Sequence, residues 1–309
     1  MIKYYYKSLR TETVKELEEY KRGTWVYVEA PSEGELDQLA DKFDLDRGIL
    51  QDALDENEMP RLEKEGETSY IFVRFAMMSE EGELMTMPLL FVFGKELLMT
   101  VSLVRLPSLA TFVTGKIDFA TTQRAKLVLQ ILNIISDHYD TFIAGTSKQI
   151  KRIRAHLRRH AIGNQDFIEF VTIEDELNEF ISALVPTNAT LRRLMLGRYM
   201  PLFEEDQDIV EDLLLNNEQS MEACNSNMKS IANIREAYSS ISANNLNRTI
   251  KILTIATVMI AIPNLFFSMY GMNIDLPFQH HGWAFPALII FSITLLLAVV
   301  RFGRRKKIF

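Results

Sequence analysis

Cysteine is nearly absent from this sequence: Cys224 is the only one in 309 residues. A single cysteine excludes a disulfide within the chain and fits a reducing compartment. The first ten residues contain no apolar run long enough for a signal peptide, so we expect any membrane-crossing segment to lie further along the chain. A Gly-rich phosphate loop, a nucleophile elbow and a Cys/His cluster are also missing, so nothing in the sequence supports an enzyme or a catalytic residue.

Charged side chains are missing from two long segments near the C-terminal end. The first runs from Ile252 to Ile274, about 23 residues, and roughly 20 suffice to cross a bilayer as a helix. The second runs from Trp283 to Val300. The mean hydropathy of the whole chain is +0.00, which is too polar for a bundle of many spans. We therefore predict a mostly soluble protein that is anchored by a C-terminal pair of transmembrane helices.

Basic residues flank these two segments but are absent from the loop between them. Arg248 and Lys251 precede the first segment. The second is followed by Arg301, Arg304, Arg305, Lys306 and Lys307. The positive-inside rule therefore predicts that both termini are cytoplasmic, with the loop outside the cell membrane.

Charge is divided unevenly along the chain. From residue 247 onward there are seven basic residues and one acid, Asp275, a net charge of +6, which leaves −13 for residues 1–246. An acidic soluble part argues against nucleic acid as a partner and favours cations. A solvated acidic surface would give the same balance, so the charge alone does not decide between these interpretations.

The N-terminal part has the pattern of an α/β domain, which we place at residues 1–120. Ser32 and Glu35 have the spacing of a capping box ahead of an amphipathic helix, and residues 49–54 predict a second, short helix. Four segments rich in β-branched and aromatic residues predict strands: 4–7, 25–29, 70–77 and 89–99.

Long helices are predicted to follow. One runs from about residue 121 to 160, and a second runs from Asn164 to a break before Pro186, which favours the first turn of a new helix. We place both in a cytosolic helical hairpin over residues 121–200.

Glycine and proline are both absent from Leu202 to Ile262. This absence predicts one helix of roughly 90 Å at 1.5 Å per residue. Since its last third is the first apolar segment, we predict a stalk over residues 201–270 that enters the bilayer. An outer loop over residues 271–283 and a second span with a basic cytosolic tail over residues 284–309 complete the chain. The stalk is polar and needs neighbours, so we expect the protein to form an oligomer.

Small and polar residues share one face of the first span, within an arc of roughly 100° at about 100° per residue. This polar stripe comprises Asn247, Ile250, Thr254, Thr257, Ala261, Asn264 and Ser268. Such a stripe indicates either tight helix packing or a water-filled lumen. Asn264 favours the lumen, because an unpaired amide deep in a membrane is costly. We also expect Pro263 to free a backbone carbonyl near the stripe.

The first span ends in Tyr270-Gly271-Met272-Asn273. We expect Gly271 to end the helix and let the backbone turn, so that Met272 and Asn273 cap the outer end. A ring of amide oxygens suits a divalent ion that keeps its water shell, as Mg²⁺ does. The alternative is a simple helix terminus.

This tetrapeptide, at the end of the first of two C-terminal spans and after a long acidic-to-polar helix, strongly resembles that of the CorA family of magnesium transporters. The segment from Asn247 to Thr254 is similar to the family's entry into the first span, and the resemblance covers the whole chain. It implies a funnel-shaped homopentamer in which five stalks line one pore and the Gly-Met-Asn loops form the outer ion site. By this resemblance Asn273 is the selectivity residue, and the pore-facing residues at successive depths are Asn264, Ala261, Leu253 and Asn247.

The resemblance also implies regulatory divalent sites between cytosolic subunits. The segment around Asp52 resembles the one that carries a sensor aspartate, and Glu211 and Asp212 resemble its partner on the neighbouring subunit. Glu236 lies where the family often has another stalk acid. Facing carboxylates repel until a cation bridges them, so the ion would stabilise the closed state. A solvated acidic helix face is the alternative.

The outer loop departs from the family pattern, because many members carry an acidic Met-Pro-Glu-Leu there and this loop has Asp275 as its only acid. His280 and His281 suggest a site for Zn²⁺, Co²⁺ or Ni²⁺, although adjacent loop histidines are also common as plain polar residues.

The leading hypothesis is therefore a homopentameric channel for Mg²⁺, extending to Co²⁺ and Ni²⁺, without an organic cofactor. Its expected partners are further copies of the chain, the lipid bilayer and divalent cations. The alternatives are a zinc transporter of the related branch, which typically varies the Gly-Met-Asn tripeptide, and a non-conducting membrane-tethered scaffold or sensor.

Overall fold

The computed structural model describes residues 1–11, 13–79, 82–106, 109–114, 117–157, 164–274, 277–278 and 280–305. Asp275 of the outer loop and Lys306 and Lys307 of the basic tail, singled out above, lie outside these residues. The chain divides into two compact units, Met1–Ala232 and Asn233–Phe309.

The first unit is built on a seven-stranded sheet. The strands are β1 Ile2–Tyr6, β2 Lys15–Leu17, β3 Trp25–Glu29, β4 Arg61–Glu65, β5 Thr68–Met78, β6 Leu84–Phe93 and β7 Leu98–Ser102. Their order across the sheet is β2-β1-β3-β7-β6-β5-β4. β3 and β7 run parallel, and the other neighbours run antiparallel.

The helices of the described residues precede and follow these strands. They are α1 Glu33–Phe43, α2 Arg47–Asp52, α3 Ala110–Val113, α4 Arg124–Leu157, α5 Asn164–Leu194, α6 Glu204–Tyr270 and α7 Ala284–Arg305. The predicted capping box of α1 is confirmed, because the Glu35 N–H donates to Ser32 Oγ at 3.3 Å and the Ser32 N–H donates to the Glu35 carboxylate at 2.9 Å.

Both faces of the sheet are covered, because side chains alternate between the faces along each strand. On one face, Leu36 of α1 and Leu50 of α2 belong to a buried cluster with Phe72 and Leu90 of the sheet. The opposite face carries Trp25, fully buried, which donates its indole N–H to Thr100 Oγ1 at 3.0 Å. α4 and α5 pack on β5, so the first unit is a three-layer α/β/α fold.

The segment 89–99 contains the end of β6 and the start of β7, divided at Gly94, a position where the sequence fits a hairpin turn. The Gly94 N–H donates to the Leu97 carbonyl at 2.9 Å and closes that turn, so the turn is confirmed. One prediction about where an element ends is wrong. α5 does not stop before Pro186 but continues through it to Leu194. Proline removes the hydrogen bond to the carbonyl of Ser182, but Ser182 is exposed, so water can satisfy that group.

Packing explains why α5 continues. Leu184, Leu191 and Leu194, on both sides of the proline, are almost fully buried. The apolar area that these side chains remove from water outweighs the local cost of the proline. Local sequence rules predicted a helix end that tertiary contacts override.

Polar side chains join α6 to α4 and α5. Ser136 Oγ of α4 donates to Asn217 Oδ1 of α6 at 2.8 Å, and Asn217 Nδ2 donates to Asn188 Oδ1 of α5 at 3.0 Å. Further along the same two helices, Asn227 Nδ2 donates to Ser147 Oγ at 2.8 Å. The partners on α4 and α6 are separated by 80 or 81 residues in both pairs, so these helices run parallel with a defined register.

We predict that Asn217→Leu destabilises the protein by about 2–4 kcal/mol, because the buried Ser136 and Asn188 each lose a hydrogen-bond partner. Thermal unfolding of the full chain in detergent, followed by circular dichroism, measures the effect. Gln219→Leu is the matched control, since Gln219 is exposed on the same helix. Equal midpoints for the two variants would contradict the prediction.

Candidate functional site

The second unit contains the end of α6 and all of α7, and both are long and apolar enough to cross a membrane by length and composition. None of the residues in the most apolar 18-residue stretch of α6 is buried, and only 6% of the residues in the corresponding stretch of α7 are buried. A core helix of a soluble protein would be buried, so these surfaces call for apolar or protein surroundings that one chain does not supply.

One side of α6 packs against α7. Ile255, Val258 and Ile262 are half-buried, and they line a narrow gap against Leu296 and Val299 of α7. One turn further along, the rings of Phe266 and Phe291 meet edge to face with their centroids 5.2 Å apart. α7 therefore covers this apolar side of α6.

The polar stripe lies on a different side of α6. Its seven residues, and Leu253 beside them, are all exposed. At 100° per residue, the centre of the stripe is roughly 120° from the centre of the side that α7 covers. The chain's own second span therefore leaves the stripe open.

The polar groups of the stripe divide into two kinds. Thr254 and Thr257 donate their hydroxyls to carbonyls of their own helix, those of Ile250 and Leu253, at 2.8 and 2.9 Å. The side-chain amide of Asn264 makes no hydrogen bond to the described part of the chain. Because an unpaired amide at membrane depth is costly, its partner must be water or another chain.

The expectation for Pro263 is wrong. Pro263 is half-buried, and Met259, the residue whose carbonyl loses its donor, lines the gap against α7. At 100° per residue, Met259 lies roughly 170° from the centre of the stripe. The carbonyl that the proline frees is therefore on the side of α7, and α6 remains helical through it.

α6 ends at Tyr270, as predicted. The Gly271 N–H is shared between the carbonyls of Phe267 and Ser268 at 3.0 and 3.2 Å, and the Tyr270 hydroxyl donates to the Pro277 carbonyl at 3.2 Å. This last bond ties the helix end to the loop.

The backbone of one chain does not require a glycine at position 271. Gly271 is not among the described glycines with positive φ, which are Gly23, Gly66, Gly82 and Gly197. An added Cβ would lie 3.5 Å from the Phe267 and Ser268 carbonyls, an ordinary contact. A left-handed helix end at Gly271, the usual reason for such a glycine, is therefore excluded in this structure.

Met272 and Asn273 follow as exposed residues, and the Asn273 amide makes no hydrogen bond to the described part of the chain. The donors and acceptors of Asn264 and Asn273 are thus both available to a ligand. Neutral amide oxygens can accept hydrogen bonds from the water shell of a cation without binding it as tightly as carboxylates would.

The four predicted regulatory acids are not gathered into one site. Asp52 is ion-paired with Arg61 at 2.6 Å, whereas Glu211, Asp212 and Glu236 are exposed. Within the described residues, no group of three or more His, Cys, Asp or Glu side chains is placed to hold a metal ion.

The loop histidines lie near the start of α7. The His281 ring packs edge to face on Trp283, with centroids 5.9 Å apart, and the Ala284 N–H donates to the His281 carbonyl at 2.9 Å. His280 is exposed. Within one chain, aromatic packing is the role that the contacts of His281 indicate.

Sequence reasoning missed the partners of Asp52. Arg61 contacts Asp52, Glu58 and Glu63, and Arg74 binds the backbone beside them. The spacing of Arg61 and Glu63 was a usable signal, because residues two apart on a strand share a face. No local signal pointed to Arg74, which reaches this loop from β5.

Residues 20–305 match the family described as CorA-like Mg²⁺ transporter protein. The chain belongs to the CorA family. It is 23% identical over 293 residues to the cobalt/magnesium transport protein CorA of Methanocaldococcus jannaschii, covering 91% of this chain and 90% of that protein. It is also 23% identical over 297 residues to the magnesium transport protein CorA of Wolinella succinogenes, with the same coverage.

Solved structures agree in fold. The complete structure of the CorA magnesium transporter from Methanocaldococcus jannaschii superposes with a TM-score of 0.87 at 22% identity, covering 99% of this chain and 98% of that one. CorA proteins are transporters rather than enzymes, and the two apolar helices fit a membrane protein with two spans. The fold class inferred from the sequence, an α/β domain with a long helix and a C-terminal pair of apolar helices, is confirmed.

The contact between α6 and α7 predicts different effects for two adjacent phenylalanines. Phe266→Ala removes the ring that packs on Phe291, whereas Phe267 is 42% exposed. We expect Phe266→Ala to destabilise the protein by about 1 kcal/mol more than Phe267→Ala does. Thermal unfolding in the same detergent measures both variants, and equal losses would show that α7 does not cover this side of α6.

Proposed function

We propose that this CorA-family protein conducts divalent cations, chiefly Mg²⁺ and also Co²⁺ and Ni²⁺, into the cell through a pore that five copies of the chain form. The observation that supports this most is the open polar stripe of α6, which α7 leaves uncovered and which carries the unpartnered amide of Asn264. The related proteins are named for magnesium and cobalt transport.

The need for several copies is supported by exposure along α6. Every residue from Ser239 to Thr254 is exposed, and these residues include apolar side chains such as Ile241, Leu246 and Ile250. A helix that is exposed all round, with apolar residues among the polar ones, gains stability by packing against further helices. In the proposed assembly the stripes of five α6 helices face a common axis.

At the outer end of this pore, five copies of Asn273 present amide oxygens to the hydrated ion. Asn264 and Asn247 continue this lining inward, with Ala261, Thr257 and Leu253 between them. Since the backbone of one chain accepts a side chain at position 271, we attribute the glycine to close approach between copies at the mouth. Gly271, Met272 and the neighbouring Tyr270 thereby shape the ring in which Asn273 is held.

The membrane potential drives the ion inward. With both termini in the cytoplasm, each elementary charge that crosses gains about 2.3 kcal/mol per 100 mV, so a divalent ion gains twice that. No organic cofactor enters this mechanism.

Transport stops when divalent ions bind between cytosolic subunits. There Asp52 of one copy faces Glu211 and Asp212 of the next, and Glu236 lies further along α6. Facing carboxylates repel until a cation bridges them.

Replacing the proposed selectivity residue tests conduction. Asn273→Ala is expected to abolish Mg²⁺ uptake by reconstituted vesicles while the oligomer remains intact, because the ring loses its amide oxygens. Asn244→Ala is the matched control, since Asn244 is an exposed asparagine roughly 110° from the centre of the stripe. Comparing Mg²⁺, Co²⁺, Ni²⁺ and Zn²⁺ in the same assay separates a magnesium from a zinc transporter. Unchanged uptake by Asn273→Ala would support a non-conducting scaffold instead.

Thiol labelling tests which face of α6 is wet. We expect Thr257→Cys and Ala261→Cys to react with a membrane-impermeant charged reagent in vesicles, and Ile255→Cys and Ile262→Cys to be protected by α7. The native Cys224 does not interfere, because it is buried and burial raises the pKa of its thiol to about 12, which keeps it protonated at neutral pH. Equal labelling on both faces would contradict a lumen along the stripe.

A further inference from the structure

The guanidinium of Arg61 is surrounded by three carboxylates from three different segments. Its Nη2 donates to Asp52 at the end of α2 at 2.6 Å, and its Nε donates to Glu63 on β4 at 2.5 Å. Its Nη1 donates to Glu58, in the loop between α2 and β4. One positive charge thus faces three negative charges, which leaves this group of residues with a net charge of −2.

The position of Arg61 does not depend on Asp52. Arg61 is the first residue of β4 and is paired in register with Phe72 of β5. Its guanidinium carbon lies 4.4 Å from the centre of the Phe72 ring, a cation–π contact on a fully buried residue. Glu58, whose side chain is only 13% exposed, is the most enclosed of its three carboxylate partners.

Arg74 holds the loop that carries Glu58. Its Nη1 donates to the carbonyls of Glu56 and Glu58, both at 2.8 Å, and its other nitrogens donate to Thr86. The loop is thereby attached to the buried sheet. Glu58 and Glu63 can therefore retain Arg61 when Asp52 releases it.

Asp52 is the carboxylate of the three that faces solvent most. Its side chain is 46% exposed, against 39% for Glu63 and 13% for Glu58. A cation that approaches Asp52 from solvent therefore meets a carboxylate that already has a positively charged partner. Each such cation must overcome the repulsion of Arg61 and replace its hydrogen bond.

We propose that Arg61 is a tethered counter-ion that competes with the divalent cation for Asp52 and so sets the cytosolic concentration at which the regulatory site fills. This inference rests on the regulatory role proposed for Asp52 above. When the concentration falls, the ion leaves and Arg61 pairs with Asp52 again, so Asp52 itself is not left unpaired in the empty site. Arg61 keeps the affinity low enough for the site to respond reversibly.

The experiment measures how much Mg²⁺ protects the full chain, in detergent, from limited proteolysis. Arg61→Met keeps an apolar stem on Phe72 and removes the charge. The measured quantity is the Mg²⁺ concentration that gives half of the full protection. We expect Arg61→Met to lower it by roughly two- to fivefold, since one competing charge at a partly exposed site is lost. Arg61→Lys keeps the charge and should stay near the wild type. Arg22→Met is the matched control, because it removes one positive charge from a surface pair with Glu96.

The outcomes separate the two proposals. If Asp52→Asn raises the half-protecting concentration but Arg61→Met leaves it unchanged or raises it, Asp52 is a sensor and the competition by Arg61 is wrong. If Asp52→Asn has no effect, the regulatory role of Asp52 fails and this inference fails with it. If Arg61→Met lowers the midpoint of thermal unfolding, Arg61→Gln provides a second uncharged variant, because it keeps hydrogen-bond donors for the carboxylates. A lowered concentration in either uncharged variant, with Arg22→Met unchanged, supports the counter-ion.

Discussion

The packing of α7 on one side of α6 is the contact on which the membrane unit depends. Ile255, Val258, Ile262 and Phe266 face α7, and this choice of side leaves the polar stripe exposed. Had α7 covered the stripe, Asn264 would be buried without a described partner and the lumen hypothesis would lose its basis. Because α7 packs on the apolar side chains of α6, the amides of the stripe stay free for water or for further copies of the chain.

A different kind of contact holds α6 in the first unit. There Asn217 is almost fully buried between Ser136 and Asn188, and each of the three side chains is hydrogen-bonded. Buried amides tolerate few alternative arrangements, because a shift of the helix would leave them unpaired. Apolar packing alone would specify the register of α6 less strictly. Asparagine side chains therefore have two roles along α6. Those that are hydrogen-bonded to α4 and α5 set the register of the helix, and those without a partner lie along the proposed pore.

The acids of the first unit that the sequence singled out differ in their ion pairing within one chain. Asp52 has a partner in Arg61, whereas Glu211 and Asp212 are exposed to solvent. Among the described residues, no group of three or more His, Cys, Asp or Glu side chains is placed to hold a metal within one chain, so the proposed regulation draws on surfaces from two copies. In that proposal, the net charge of −13 over residues 1–246 favours repulsion between the copies until cations bind.

Much of this protein could be predicted from local patterns. The absence of charge predicted both apolar helices, the capping box predicted the start of α1, and the period of 3.6 residues predicted which residues of α6 share a face. Each of these depends on neighbours within a few positions along the chain. The family also followed from the sequence, because Tyr270 to Asn273 lies at the end of the first span.

Tertiary structure decided what depends on residues distant in sequence. Periodicity gives the angle between Ile262 and Asn264 around α6, but only the position of α7 shows which of them is covered. Pro186 is held in a helix by buried leucines on both sides of it. Arg61 meets Asp52 because β4 pairs with β5 and places it beside the end of α2. These outcomes depend on the packing of whole elements, which no local pattern encodes.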